Sequence, residues 1–112
     1  MKKKADILIV GCGAAGLYCA LHLPKDKEIV ILSKDDVENS DSYLAQGGIC
    51  VLKSEEDYES YFEDTMKAGH YENRKESVDI MIRSSRKVID DLILYGVDFE
   101  NDHGSLIFTR EG

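Results

Sequence analysis

Positive charge is scarce in this chain. Lys and Arg total 14 against 22 Asp and Glu, a net charge of −8. Nucleic-acid binding through a basic surface is thereby excluded, because such binding rests on neutralising phosphates. The one basic cluster, Lys2-Lys3-Lys4, reads as a solubilising end. Long apolar runs are also missing. The stretch from Ile7 to Leu23 is broken by Gly11, Gly13 and Gly16 and stops at Pro24, too short and too glycine-rich for a membrane span. It follows three lysines, as in a signal peptide, but Asp6 intervenes and no small-residue cleavage pattern follows. Cysteine is limited to Cys12, Cys19 and Cys50, with no Cys-x-x-Cys spacing. A disulfide framework and a zinc site are both unsupported, and no metal is expected. Three free thiols fit a reducing cytoplasm, and Cys12 and Cys19 are expected to be small buried packing residues. No internal repeat or low-complexity stretch is visible. What remains is globular material: 112 residues, 43% hydrophobic and 32% charged, enough for one small domain or a piece of a larger one.

Asp6-Ile7-Leu8-Ile9-Val10 is a β-branched run of the kind found in a buried parallel strand. Ala14 to Leu23 reads as a helix, with Leu17, Cys19, Ala20, Leu21 and Leu23 as apolar cover and Pro24 forbidding extension. Glu28-Ile29-Val30-Ile31-Leu32 is a second buried strand. Strand, helix, strand is a βαβ unit, whose crossover should be right-handed. From Ser33 to Val51 periodicity is lost and a loop is predicted; loops this long in compact domains are usually functional. Ser54 with Asp57 approximates a capping box, and Tyr58, Tyr61, Phe62, Thr65 and Met66 then form one helical stripe ended by Gly69. A longer helix is predicted from Lys75 to Tyr95, burying Val78, Met81, Ile82, Ser85, Val88, Ile89, Leu92 and Ile93, with Gly96 just past its end. Val97–Phe99 and Leu106–Phe108 read as short strands around a turn at Asn101-Asp102-His103-Gly104.

Gly11-Cys12-Gly13-Ala14-Ala15-Gly16 is a Gly-x-Gly-x-x-Gly that follows a strand directly and opens a helix. That context is what distinguishes a dinucleotide-binding turn from an ordinary glycine-rich one. Gly11 permits the tight turn, Gly13 lets a pyrophosphate approach the backbone, and Gly16 lets helix and strand pack closely. The unpaired N–H groups and dipole at the helix start favour the anion. An NAD-type dehydrogenase expects an acidic residue at the end of the second strand, but Ser33-Lys34 stands there, with Asp35 and Asp36 just beyond. This lowers NAD as the ligand and leaves FAD open. Lys34 has two readings on residue type alone: it faces the dinucleotide, or it is a solvated surface lysine. Ser40-Asp41-Ser42-Tyr43-Leu44-Ala45-Gln46-Gly47-Gly48-Ile49 is a second informative stretch. Its paired glycines allow backbone to lie against a planar ligand, with N–H groups available to flavin heteroatoms; a flexible loop with turn glycines is the alternative.

Ala45-Gln46-Gly47-Gly48, soon after a Gly-x-Gly-x-x-Gly βαβ unit, resembles the FAD-binding subunits of the succinate dehydrogenase/fumarate reductase family. Ser33-Lys34, Tyr43 to Gly48, Glu63-Asp64-Thr65 with Ala68-Gly69, Gly96-Val97-Asp98-Phe99 and Thr109-Arg110-Glu111-Gly112 are similar to the branch of that family that oxidises L-aspartate. The resemblance covers nearly the whole chain. It implies an α/β fold: a Rossmann-like FAD-binding βαβ unit, following helices and a short β-hairpin. It also implies that residues 1–112 are the N-terminal part of a larger FAD-binding domain, with the rest of that domain, a capping domain and a C-terminal domain absent.

Carried over by position, the family implies that Gly11, Gly13, Ala14, Ala15 and Gly16 hold the FAD pyrophosphate and that Ser33 and Lys34 lie near the adenosine half. Asp41, Ser42, Tyr43, Leu44, Ala45, Gln46, Gly47 and Gly48 would wrap the flavin and ribityl part. Glu111 resembles the acidic residue that recognises the substrate ammonium group; on residue type alone such a residue is more often a solvated loop glutamate. Membrane-bound members tether FAD through a histidine five residues before the loop glutamine. Asp41 stands there in this chain, which implies non-covalent FAD and a soluble, cytoplasmic enzyme. His22, His70 and His103 are expected to be surface or packing residues. The implied reaction converts L-aspartate to iminoaspartate, with oxygen or fumarate accepting the electrons. The product feeds quinolinate and NAD synthesis, with quinolinate synthase as the downstream partner. The family's substrate-binding arginine and histidines lie beyond residue 112, so the isolated chain is expected to have no turnover. Two other classes fit the same motifs: a soluble fumarate reductase or succinate dehydrogenase-like flavoprotein, and a non-catalytic dinucleotide-binding module.

Overall fold

The computed structural model describes residues 4–109. They divide into two compact units, parted between Gly48 and Ile49. In the first, strand β1 (Ile7–Val10), helix α1 (Ala14–His22) and strand β2 (Ile29–Leu32) follow one another. The strands pair in parallel, Ile7 opposite Ile29 and Val10 opposite Leu32. The Asp6 carboxylate accepts the Glu28 N–H at 2.9 Å, which fixes the start of the ladder. Leu23 closes α1 in extended conformation and Pro24 follows, as the sequence predicts.

Burial of this unit is shallower than the apolar runs suggest. α1 lies on the face of the sheet that carries Ile9, and the register puts Leu8, Val10, Val30 and Leu32 on the other. Leu8, Val10 and Leu32 are exposed, Val10 to 81%. The expectation of fully buried strands is therefore corrected: one helix covers one face. Cys12 is buried as expected, but Cys19 is exposed, on a helix that has no buried residue of its own. The stretch read as loop holds a short 3-10 helix at Val37–Asn39 and a one-turn helix, α2 (Asp41–Leu44). Ser40 caps α2, accepting the Tyr43 N–H at 3.3 Å.

The second unit is built on two helices. A 3-10 turn at Glu55–Asp57 leads into α3 (Tyr58–Ala68), and α4 spans Lys75–Leu94. The Asp57 carboxylate accepts the Ser54 N–H at 3.1 Å, the return arm of the predicted capping box, which is present. Leu52, Met66, Val78 and Ile82 form the core, with Tyr58, Tyr61 and Phe62 packed against it. The Ser85 hydroxyl accepts the Leu52 N–H at 2.9 Å and so pins the incoming chain to α4. Met81 and Ile93, expected on the buried face, are exposed: they flank the Val78-Ile82-Ile89 stripe that meets the core.

The ends of these helices separate two uses of glycine. Gly96 has φ +96°, and the N–H groups of Gly96 and Val97 return to Ile93 and Leu92, each at 3.0 Å, the Schellman closure that needs a left-handed residue. Gly69 ends α3 for another reason. The left-handed positions there are His70 (φ 53°) and Tyr71 (φ 60°). A Cβ on Gly69 would lie 1.8 Å from the Asn73 Oδ1 atom, so Gly69 supplies room, not φ.

The hairpin is tighter than predicted. β3 is Asn101–Asp102 and β4 is Ser105–Leu106, joined by His103 and Gly104 at φ 48° and 88°. Two positive φ values make a two-residue turn, which draws the paired residues inward. Val97–Phe99 is consequently not a strand, and Leu106 alone of the expected second strand is paired.

A polar cluster joins α3 to α4. The Tyr58 hydroxyl donates to Asp79 Oδ1 at 2.5 Å, Arg83 Nε donates to the same oxygen at 2.8 Å, and the Arg83 guanidinium lies 4.2 Å from the centre of the Tyr58 ring. The Tyr58 hydrogen bond, then Arg83, holds the Asp79 carboxyl below its ordinary 3.8. The same bond to Asp79 raises Tyr58 above its ordinary 10.0. A depressed carboxyl stabilises the fold above its unfolded pKa and loses that contribution as pH falls through the folded one. Asp79→Asn is therefore expected to flatten the stability curve below the ordinary carboxylate value, read by urea unfolding at stepped acidic pH. A variant that keeps the wild-type acid limb would show that Asp79 does not shape it.

Candidate functional site

The candidate site is the turn between β1 and α1. β1 ends where the Gly11 N–H donates to the Leu32 carbonyl at 2.8 Å. The chain then reverses through Gly11 at φ +110°, a conformation that L side chains rarely adopt. At Gly16 the requirement is steric. A Cβ there would lie 2.1 Å from the Gly11 carbonyl oxygen and 3.4 Å from Ile9 Cγ2. The third glycine of the motif is thus what lets α1 descend onto β1, as the sequence predicts.

Gly13 is the N-cap of α1 and provides no side-chain cap, and the first turn carries no acidic residue. The first intrahelical bond runs from Leu17 to Gly13 at 3.1 Å, so the N–H groups of Ala14, Ala15 and Gly16 precede it. Such a helix start suits an anion, since its donors and dipole point outward and no carboxylate repels the charge.

Two side chains from the predicted set meet this turn. Cys12 Sγ lies 3.0 Å from Ser33 Oγ, linking the ends of β1 and β2. The Ser33 hydroxyl is also hydrogen-bonded to the Asp35 carbonyl. From the second stretch, Ser42 Oγ accepts the Ala14 N–H at 2.9 Å. The structure thus brings Gly11, Gly13, Ala14, Gly16, Ser33 and Ser42 together. Lys34, Asp41, Tyr43, Leu44, Ala45, Gln46, Gly47 and Gly48 are exposed, and Gly47 turns at φ +111°. Glu111 lies outside the described residues.

Sequence reasoning gave Cys12 a packing role and missed its link to Ser33; no local pattern signals a contact across 21 residues. It also missed α2, although a serine before a short polar turn is an N-cap signal. Among the described residues, no group of three or more His, Cys, Asp or Glu is placed to hold a metal ion, and no helix is long and apolar enough to cross a membrane.

A parallel strand pair, a glycine turn and a helix start whose Ala15 and Gly16 N–H groups make no intrahelical bond have the form of a dinucleotide-binding turn. A family model described as an FAD binding domain matches residues 6–112, and the chain belongs to that family, with FAD as its cofactor. Among curated proteins it is similar to L-aspartate oxidase of Clostridium perfringens, 49% identical over 112 residues that cover 100% of this chain and 26% of the relative. L-aspartate oxidase of Clostridium acetobutylicum is 44% identical over 113 residues, covering 100% and 26%. The enzyme of that name from Bacillus subtilis is 34% identical over 111 residues, covering 97% and 21%. The chain spans about a quarter of the length of the first two of these relatives. The residues of the turn fit FAD: the missing Cβ of Gly16 lets α1 start close against β1, and the N–H groups of Ala15 and Gly16 precede the first intrahelical bond.

Proposed function

We propose that this chain is the Rossmann-like, dinucleotide-binding part of a cytoplasmic flavoenzyme that oxidises L-aspartate to iminoaspartate. The observation that carries the reading is the 49% identity to an L-aspartate oxidase along the whole of this chain. Bound FAD supplies the two-electron acceptor for the carbon–nitrogen oxidation, and oxygen or fumarate then takes the electrons. The chain's own residues bind and orient. The N–H groups of Ala15 and Gly16, with Gly13 leaving the approach open, hold the pyrophosphate. Ser33 and Lys34 border the adenosine half, and the stretch from Asp41 to Gly48 follows the ribityl chain and flavin. Asp41 has no nucleophilic ring nitrogen, so the flavin is held without a covalent bond. Glu111 is assigned the recognition of the substrate ammonium group, since an opposite charge favours the amino acid over a plain dicarboxylate. The imine product belongs to the early route to quinolinate and NAD, with quinolinate synthase the enzyme that consumes it.

The test is anaerobic addition of L-aspartate to the FAD-loaded flavoenzyme of which this chain is part, with succinate in parallel. Bleaching of the oxidised-flavin band by L-aspartate alone is the expected result. Bleaching by succinate alone would move the protein to the dicarboxylate dehydrogenases. FAD bound without bleaching by either would leave a binding module and remove the substrate assignment.

A further inference from the structure

The contact between Ser42 and Ala14 joins two loops that the sequence keeps 28 residues apart. α1 lacks a cap of its own, because its N-cap is Gly13. The Ser42 hydroxyl takes that place from outside the helix, accepting the Ala14 N–H at 2.9 Å. Gly13 makes room for it: a Cβ at Gly13 would lie 3.0 Å from Ser42 Oγ, tighter than an ordinary contact. The turn that carries Ser42 is itself fixed. Ser40 accepts the Tyr43 N–H at 3.3 Å and donates to the Val37 carbonyl at 2.7 Å, and the Leu44 N–H returns to the Ser40 carbonyl at 3.1 Å. Among the described residues, Ser42 is the side chain of the 41–48 stretch that is hydrogen-bonded to the glycine turn.

We propose that Ser42 is a latch. It holds the 40–48 stretch against the start of α1, so that the two loops assigned to the dinucleotide are assembled as one surface. The inference rests on the FAD reading for its consequence: affinity is set partly by the fraction of molecules with the latch closed. Ser42 is here a positioning residue, acting through the loop it holds.

The test compares wild type, Ser42→Ala, Ser42→Thr and Gly13→Ala in protein stripped of FAD and after FAD is added back. Amide hydrogen exchange at Tyr43 and Leu44 reads the loop, and quenching of flavin fluorescence reads affinity. Ser42→Ala is expected to speed exchange at both amides and to weaken FAD binding, each by about fivefold, the size of a lost helix cap. Ser42→Thr keeps the hydroxyl and is expected to restore both. Gly13→Ala, which pushes the hydroxyl away, is expected to match Ser42→Ala in exchange, and the double variant to add nothing. Weaker FAD binding with unchanged exchange would make Ser42 a direct ligand and overturn the latch. Unchanged exchange and unchanged binding would overturn it as well. If wild type binds no FAD, the cofactor reading fails, while the exchange measurement still decides whether the latch exists.

Discussion

Gly16→Ala is expected to lose flavin binding by more than about tenfold and to destabilise the first unit by about 1–3 kcal/mol. The new methyl would stand 2.1 Å from the Gly11 carbonyl oxygen, a backbone atom in the turn itself. No side chain can swing aside to relieve the clash. α1 must move off β1, and the donors at its N-terminus move with it. Gly13→Ala is the informative contrast. Its methyl meets only the Ser42 hydroxyl, at 3.0 Å, and a hydroxyl can rotate away. Thermal unfolding and flavin-fluorescence titration of the two variants should separate a backbone collision from a displaced cap. A Gly16→Ala protein that binds FAD like wild type would mean that α1 does not approach β1 this closely.

Ile82→Ala is expected to cost about 2–5 kcal/mol, because a fully buried side chain leaves a cavity that its neighbours cannot fill. Ile82 is 0% exposed and sits among Leu52, Met66 and Val78, the other buried members of the core. Two of those partners belong to other segments: Leu52 to the incoming chain and Met66 to α3. The cavity would therefore loosen the contact of α4 with both. Ile80→Ala, two residues away on the same helix and 66% exposed, is expected to stay within about 0.5 kcal/mol of wild type. Urea unfolding followed by circular dichroism gives both values. Equal losses at the two positions would contradict the core as described.

What could be read from the sequence was local. The glycine turn is legible because each of its requirements falls on one residue: the φ of Gly11, the missing Cβ of Gly16 and the strand and helix on either side. The bounds of α1 and α4 are legible for the same reason, through Pro24 and Gly96. Most of what failed depended on partners far along the chain. The exposure of Cys19 and Leu8 follows from which face α1 covers, and apolar content does not reveal a face. Gly69 was placed correctly as the end of α3, but its reason lies in the side chain of Asn73. The hairpin slipped because His103 takes a left-handed φ beside Gly104, which shortens the turn to two residues. Ser42 was singled out by resemblance, but its hold on Ala14 is a tertiary fact.

The open face of the first sheet has a consequence for how this chain behaves in company. β1 and β2 pair with each other, and among the described residues neither has a second neighbour. Each strand is four uncharged, aliphatic residues, with Lys4 and Asp6 before one and Lys27 and Glu28 before the other. Charge thus guards the strand ends and leaves their lengths unguarded, without a proline or lysine to block another strand from adding. An unguarded apolar edge of this kind is a template on which another strand can pair. Self-association through that edge is then expected to rise with concentration, separately from thermal unfolding. A tighter core raises the melting point and does nothing for solubility, whereas one lysine at Val10, on the outward face, would act on solubility first.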